Sequence, residues 1–110
     1  MSKLDDLCEK FAKELQSLGE KPDLKLLRAV AKGCGPSIYK RDASLVAAKD
    51  KKELATVKKN FVLGKLGAKD TPKTDEGIAA VVAKYKKPRK LRAVFYYLLV
   101  KQFRKASVYK

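Results

Sequence analysis

The sequence predicts an all-α protein, a compact orthogonal or irregular bundle of five to six short helices. Three observations predict this fold. Apolar residues recur at helical spacing in successive segments, capping residues, glycine or proline bound these segments, and no segment shows the alternation of a strand. The length of 110 residues suits one domain spanning residues 1–110. The helix lengths are too unequal for a regular up-and-down arrangement.

Two helices are predicted in the N-terminal third. Ser2 and Asp5 form an acidic relative of a capping box, and Gly19 ends the first helix. Pro22 suits the first turn of the second helix, which ends at Gly33. Helical spacing predicts a buried face on each helix, made by Leu4, Leu7, Cys8, Phe11, Leu15 and Leu18 on the first and by Leu24, Leu27, Val30 and Ala31 on the second.

The middle of the chain is predicted to form a turn and two helices. The stretch 33–37 is rich in turn residues, and a short apolar helix from Ala43 to Ala48 follows. Asp50 begins a longer helix that stops at Gly67 and carries an apolar face of Leu54, Val57, Phe61, Val62 and Leu66. Basic residues recur every seven positions on this helix and should line one face over ~21 Å; they are Lys51, Lys58 and Lys65.

The last two helices are predicted to follow threonine and proline signals. Thr71-Pro72 or Thr74 begins the first of them, which buries Ile78, Val81, Val82 and Tyr85. Pro88 begins the last and longest helix of the chain. The residues predicted to share one largely apolar face of this helix are Leu91, Phe95, Leu98, Leu99, Gln102 and Ala106.

The charge is strongly positive and unevenly distributed. The formal net charge is +15, and the last 34 residues carry ten basic side chains and no acid. Such an excess attracts anionic partners over long range, so nucleic acid or an anionic membrane surface is the expected partner. A lysine-rich coat that only keeps the protein soluble is the alternative reading.

The candidate binding residues lie in this basic C-terminal region. Bases neutralise phosphates, and an exposed aromatic ring among them can stack on a nucleobase. Tyr97 would be that ring if it lies on an exposed face of the last helix; the alternative is that it packs against another helix. The predicted nucleic-acid-binding residues are Lys86, Lys87, Arg89, Lys90, Tyr97, Lys101 and Arg104.

The sequence argues against an enzyme. It contains no histidine, the commonest general base and metal ligand. Its adjacent acidic pairs do not face each other on a helix, and residues 33–37 lack the lysine and spacing of a phosphate-binding loop. Cys34 between two glycines is a candidate accessible thiol, with reactivity depending on a lowered pKa. We therefore expect no catalytic residues, no cofactor and no metal site.

The expected location is the cytoplasm. The N-terminal residues show no secretory signal, and the longest apolar run, residues 93–100, is too short for a transmembrane segment. Oligomeric state and the thiol state of Cys8 and Cys34 stay open at this level.

Two segments resemble a small bacterial family called domain of unknown function 2853. One runs from Gly35-Pro36-Ser37-Ile38-Tyr39 through Leu66-Gly67, and the other from Arg92-Ala93-Val94-Phe95-Tyr96-Tyr97 through Ser107-Val108-Tyr109. The resemblance implies a stand-alone, cytoplasmic, all-helical protein and supplies no activity, cofactor or catalytic residue. It also implies that Phe95, Tyr96 and Leu99 chiefly build the core.

Together these observations predict a non-enzymatic module that contacts nucleic acid through phosphates, with weak sequence specificity. The alternative is a helical protein–protein interaction module or self-associating adaptor, which would expose an apolar patch. A third possibility is attachment to an anionic membrane through the same lysines.

Overall fold

The structure, a computed structural model, describes residues 3–39, 45–46, 50–86 and 90–109, except for the side chains of residues 36, 37, 106 and 107. These residues form five α-helices: α1 (Lys3–Ser17), α2 (Leu24–Gly33), α3 (Lys51–Val57), α4 (Pro72–Lys84) and α5 (Arg92–Phe103). The Cα radius of gyration is 12.9 Å, close to the ~13 Å of a compact chain of this size. The predicted all-α, irregular bundle is confirmed.

Helix α5 lies at the centre of the bundle. Helices α1, α2 and α4 all pack against it, and its buried residues lie on every side of the helix. They are Ala93, Val94, Phe95, Tyr97, Leu98, Leu99 and Val100. A helix that is apolar all round is a core helix, so the expectation of an exposed face on α5 is wrong and the alternative of a central helix is confirmed.

Helices α1 and α2 pack against each other as a hairpin. Gly19, with φ at +84°, ends α1 as predicted, because this left-handed conformation costs glycine little. Asp23 caps α2 by accepting a hydrogen bond from the Leu26 amide at 3.2 Å. Pro22 therefore precedes the cap and is not in the first turn. The prediction that Leu24 is buried is wrong, because this residue is 63% exposed in the first turn of α2.

Helix α3 continues directly into a π-helical segment, Lys58–Lys65. Asp50 caps α3 as predicted, accepting from the Lys52 amide at 2.9 Å. In the π segment, backbone bonds join residues five apart, as between the Leu66 amide and the Phe61 carbonyl at 2.8 Å. The buried residues follow the same five-residue spacing, in the pairs Val57 and Val62, and Phe61 and Leu66.

The π geometry removes the predicted basic face of Lys51, Lys58 and Lys65. A turn with about one more residue than an α turn breaks the seven-residue alignment. Lys58 instead lies between two acids, with its Nζ 2.7 Å from a carboxylate oxygen of Asp70 and 2.7 Å from one of Asp75. Those two pairs join the π segment to the beginning of α4.

A two-stranded antiparallel sheet replaces part of a predicted helix. Leu45–Val46 (β1) pairs with Lys90–Leu91 (β2), with Leu45 opposite Leu91. The predicted helix Ala43–Ala48 is therefore wrong at Leu45 and Val46, and its other residues lie outside the described part of the chain. Pairing with a distant segment has overridden the local pattern at these two residues.

The last two helices differ in how well their ends were predicted. Thr71 lies at the N-cap position of α4, and Pro72 is its first residue, as predicted. The prediction that the last helix begins at Pro88 and is the longest is wrong, because α5 begins at Arg92, after β2, and its 12 residues are fewer than the 15 of α1. Pro88 itself lies outside the described residues. Helix α5 ends at Phe103 and does not extend to Ala106 as predicted, because Arg104 adopts a left-handed conformation at φ 55°. A 3₁₀ turn, Ala106–Tyr109, then packs on α2. Among the described helices, none is long and apolar enough to cross a membrane.

Candidate functional site

The structure separates the predicted binding residues into three groups. Lys86, Lys101 and Arg104 are exposed, whereas Lys90 and Tyr97 are buried. Lys87 and Arg89 lie outside the described residues. The prediction that Tyr97 is exposed for base stacking is wrong, because 1% of its surface is exposed. Its hydroxyl accepts a hydrogen bond from the Asp23 amide at 2.9 Å, so the residue belongs to the core.

The prediction that Lys90 contacts nucleic acid is also wrong. It is 7% exposed, and its Nζ lies over the Tyr85 ring, 5.4 Å from the ring centroid. A desolvated ammonium over an aromatic face is stabilised by the ring quadrupole. The Tyr85 hydroxyl in turn accepts from the Leu91 amide at 3.0 Å and donates to Glu14 at 2.9 Å. This group connects α1, the end of α4 and β2, and it is structural.

The three exposed bases lie at opposite ends of α5. Lys86 follows α4 and precedes β2, near the start of α5, whereas Lys101 and Arg104 lie at its end. Twelve residues of helix separate these ends by about 18 Å. Among the described residues, no acidic side chain forms a salt bridge with any of the three.

Acidic side chains elsewhere are used in ion pairs. Arg28 pairs with Asp5 and Lys84 with Glu20, and Arg92 lies 3.0 Å from Glu53. Together with the two carboxylates at Lys58, these pairs involve five of the twelve acidic residues of the chain. Lys90 is the one base classed as buried in the described part of the chain. The surplus positive charge therefore lies on the surface.

A second candidate site is a cleft that the sequence did not indicate. It has a volume of about 370 Å³ and lies where the end of α2, the π segment, the start of α5 and the C-terminal 3₁₀ turn meet. Its lining residues are Val30, Gly33, Cys34, Asn60, Phe61, Lys65, Arg92, Tyr96 and Tyr109. We refer to it as the Tyr109 cleft.

Arg92 organises one wall of the Tyr109 cleft. Its guanidinium donates to the Tyr96 hydroxyl at 2.8 Å, to Glu53 at 3.0 Å and to the Leu45 carbonyl at 3.4 Å. One side chain thus joins α5, α3 and β1. The planar fork of arginine suits such a multiple contact, which a lysine could not reproduce.

Aromatic rings form most of the remaining wall. Phe61 from the π segment stacks on Tyr96, with ring centroids 4.0 Å apart and planes inclined by 19°. The Lys65 ammonium lies 5.2 Å from the centroid of the Tyr109 ring. Gly33 lies beside that ring, and a Cβ there would be in ordinary van der Waals contact with Tyr109 Cε1 at 3.4 Å. The cleft therefore combines aromatic rings with polar groups, and it is cationic at Lys65 and Arg92.

The thiol and the two tyrosine hydroxyls of the Tyr109 cleft stay protonated near neutral pH. Burial raises the pKa of the Cys34 thiol to about 11, although the nearby Arg92 charge opposes this shift. Burial, chiefly, raises the pKa of Tyr109 to about 12 and also raises that of Tyr96. The cleft thus offers a neutral thiol and hydrogen-bond donors. Cys34 is not the activated nucleophile that an accessible thiol could have been.

Sequence reasoning missed this cleft although one signal lay within it. The tail segment that contains Tyr96 and Tyr109 carries part of the family resemblance, which implies a core role for Tyr96 and no role for Tyr109. Phe95 and Leu99 are indeed fully buried, whereas Tyr96 is half-buried on the cleft wall. The π segment contributes Asn60, Phe61 and Lys65 to the cleft, whereas the spacing of its apolar residues predicts an ordinary α-helix.

The comparison with protein families identifies the chain. The family described as Protein of unknown function (DUF2853) matches residues 10–107, so the chain belongs to this family. No curated protein matches the sequence.

Proposed function

We propose that this member of a family without an assigned activity is a non-enzymatic protein that binds nucleic acid through its phosphates. The observation that supports the proposal is the surface location of the surplus charge: the chain carries 27 basic and 12 acidic residues, and several of the acids are held in ion pairs. Such a surface attracts a polyanion and releases its counterions on binding.

The binding residues in this proposal are the three exposed predicted bases, Lys86, Lys101 and Arg104. Their positions at both ends of α5 suit an extended ligand that spans at least ~18 Å, which is several nucleotides of backbone. Lys87 and Arg89 remain predicted contacts beside Lys86. Tyr97 and Lys90 have no part in it, because both are buried. Without a stacking ring in this set, the contact is to phosphates and carries little sequence information.

The test is fluorescence anisotropy with short duplex DNA, single-stranded DNA and RNA at about 50 and 200 mM salt. The variant Lys86→Glu/Lys101→Glu/Arg104→Glu should weaken binding at least tenfold and reduce the slope of log affinity against log salt by about 2–3. The matched control, Lys3→Glu/Lys10→Glu/Lys13→Glu, makes the same charge change on exposed positions of α1 and should retain most of the affinity.

Equal losses in the two variants would mean that only the overall field of the protein matters, and would overturn the assigned residues. Binding that vanishes at the higher salt for all three nucleic acids would overturn the proposed function. Vesicles of anionic and neutral lipid belong in the same series, because binding to the anionic ones alone would instead identify a membrane surface.

A second candidate function is protein binding through the groove between α1 and α2. This groove has a volume of about 590 Å³, and Cys8, Ala12 and Leu24 contribute to its lining. Leu24 is 63% exposed, and it is the large apolar side chain of a lining that is otherwise mostly polar or charged. If the groove mediates self-association, light scattering should detect an oligomer that survives 500 mM salt and that Leu24→Ser abolishes. A monomer under all conditions excludes the self-association form.

A further inference from the structure

The Tyr109 cleft has the dimensions and lining of a small-molecule site. Its volume of about 370 Å³ falls within the range of ligand sites, roughly 300–1,000 Å³. Such sites combine apolar and aromatic walls with a few convergent polar groups. Here three aromatic residues, Phe61, Tyr96 and Tyr109, line the cleft together with the polar groups of Asn60, Lys65 and Arg92.

The charge of the lining residues indicates that the ligand of the cleft is negatively charged. Two cations, Lys65 and Arg92, line the cleft, and none of its lining residues is acidic. Glu53, which pairs with Arg92, is not a lining residue. Because Glu53 compensates the charge of Arg92, the net positive charge of the cleft comes from Lys65. This charge repels a cationic ligand and attracts an anion in a partly desolvated site.

The hydrogen-bonding groups of the lining point to the same ligand class. Lysine and arginine only donate, and the Asn60 amide can donate. The Tyr96 hydroxyl accepts from Arg92 and retains one proton to donate, and the Tyr109 hydroxyl can also donate. A ligand group that accepts several hydrogen bonds, as a carboxylate does, matches this set.

The π segment supplies an independent indication. An eight-residue π-helical stretch is rare, and π turns occur frequently at functional sites. Because π geometry aligns residues five apart, it places Asn60 and Lys65 on one side of the segment, and both line the cleft. The departure from α geometry thus coincides with the residues that would contact the ligand.

We infer that the Tyr109 cleft binds a small organic anion with a flat aromatic body, its carboxylate held by Lys65 and its ring packed against Tyr96 and Tyr109. This site does not include the three exposed bases of the proposed function, since Lys86, Lys101 and Arg104 are not among the lining residues of the cleft. The inference does not depend on nucleic-acid binding.

The test uses 2-naphthoate as the probe, observed by two-dimensional ¹H–¹⁵N NMR and calorimetry. We expect a Kd of about 1 mM or tighter and shifts of the amide signals of Gly33, Cys34, Asn60, Lys65 and Tyr109. Lys65→Gln should weaken binding about fivefold. Lys51→Gln removes the same charge from an exposed residue of α3 outside the cleft and should leave the affinity unchanged.

Two further probes separate charge from shape. 2-Naphthamide has the same ring without the charge, and inorganic phosphate has charge without a ring. Both should bind at least fivefold more weakly than 2-naphthoate. The inference is overturned if 2-naphthamide or phosphate binds as well as 2-naphthoate, if Lys65→Gln and Lys51→Gln behave alike, or if 2-naphthoate shifts no cleft amide at 5 mM, roughly five times the expected Kd.

Discussion

The Tyr97 hydroxyl accepts a hydrogen bond from the backbone amide of Asp23 at 2.9 Å, and so joins residues 74 positions apart. Tyr97 lies in the middle of α5, and Asp23 is the N-cap of α2. The phenol ring fills the core while its oxygen satisfies an amide at the beginning of a neighbouring helix. This relationship explains how a tyrosine with a polar group is accommodated in the centre of the bundle.

Replacement of this hydroxyl should destabilise the fold without affecting nucleic-acid binding. Tyr97→Phe leaves the Asp23 amide without its partner, which should lower the free energy of unfolding by about 1–2 kcal/mol. Urea denaturation followed by circular dichroism measures the change. Tyr39→Phe is the control, because Tyr39 is 50% exposed. A loss of nucleic-acid affinity in Tyr97→Phe at full folding would contradict the burial of this ring.

Gly77 permits the close contact between α4 and the end of α5. A Cβ at this position would lie 2.8 Å from Phe103 Cζ and 2.9 Å from its Cε1. In a helix interior, alanine is more stabilising than glycine by about 1 kcal/mol. The steric overlap with Phe103 should cost more free energy than this gain in helix propensity. We expect Gly77→Ala to lower the free energy of unfolding by about 1–2 kcal/mol.

A second substitution isolates the cause of that loss. In a Phe103→Leu background the overlapping ring is absent, so adding Gly77→Ala should now stabilise the protein through helix propensity. Chemical denaturation of the four proteins in this cycle gives the coupling between the two positions. Equal effects of Gly77→Ala in both backgrounds would show that contact with Phe103 is not what requires glycine.

The two cysteines should react at different rates. Because burial raises the pKa of Cys34 to about 11, only about one thiol in a thousand is ionised at pH 8. Burial also raises the pKa of Cys8, which is the less buried of the two thiols. Iodoacetamide labelling followed by mass spectrometry should modify Cys8 first, and the Cys34 rate should rise about tenfold per pH unit from 8 to 10. Rapid labelling of Cys34 at pH 7 would indicate an activated thiol instead.

Tyr109 should make stability depend on pH in the alkaline range. Burial raises its pKa to about 12 in the folded protein, compared with about 10 in an unfolded chain. Between these values the unfolded chain loses the proton that the folded protein keeps, so rising pH favours unfolding. The protonated Tyr109 hydroxyl makes its full contribution to the free energy of unfolding below about pH 10, and this contribution is lost as the pH rises toward 12. Between about pH 10 and 12, the free energy of unfolding should fall less steeply in Tyr109→Phe than in the wild type. The control Tyr39→Phe, a change at an exposed residue, should show the same pH dependence as the wild type.

Helix bounds were predictable where local chemistry decides them. Asp50 as a cap, Gly19 and Gly67 as C-terminal stops and Pro72 in a first turn all act through their own backbone or the nearest amides. The capping of α2 by Asp23 was missed because Pro22 offered a competing local signal. The same local rules failed at Leu45 and Val46, where pairing with β2, about 45 residues away in sequence, outweighs helical propensity.

The sequence predicted which region is basic, but it did not predict which of its residues are exposed or where a cleft forms. Counting bases correctly indicated that the C-terminal region is strongly positive. Counting could not show that Lys90 and Tyr97 are buried, because the exposure of a residue on α5 depends on how many helices surround it. The Tyr109 cleft depends on residues from four separate segments, and nothing local links them.

Local patterning therefore accounts for the class of the fold, the composition of its core and the sign of its surface charge, since spacing, capping and net charge are properties of neighbouring residues or of the whole chain. The central position of α5, the π turn at Lys58–Lys65 and the convergence of Lys65, Arg92 and Tyr109 arise from long-range packing. Packing selects which apolar face meets which neighbour, and several arrangements satisfy the same one-dimensional pattern. For this reason the residues that can contact a ligand emerge only once the helices are assembled.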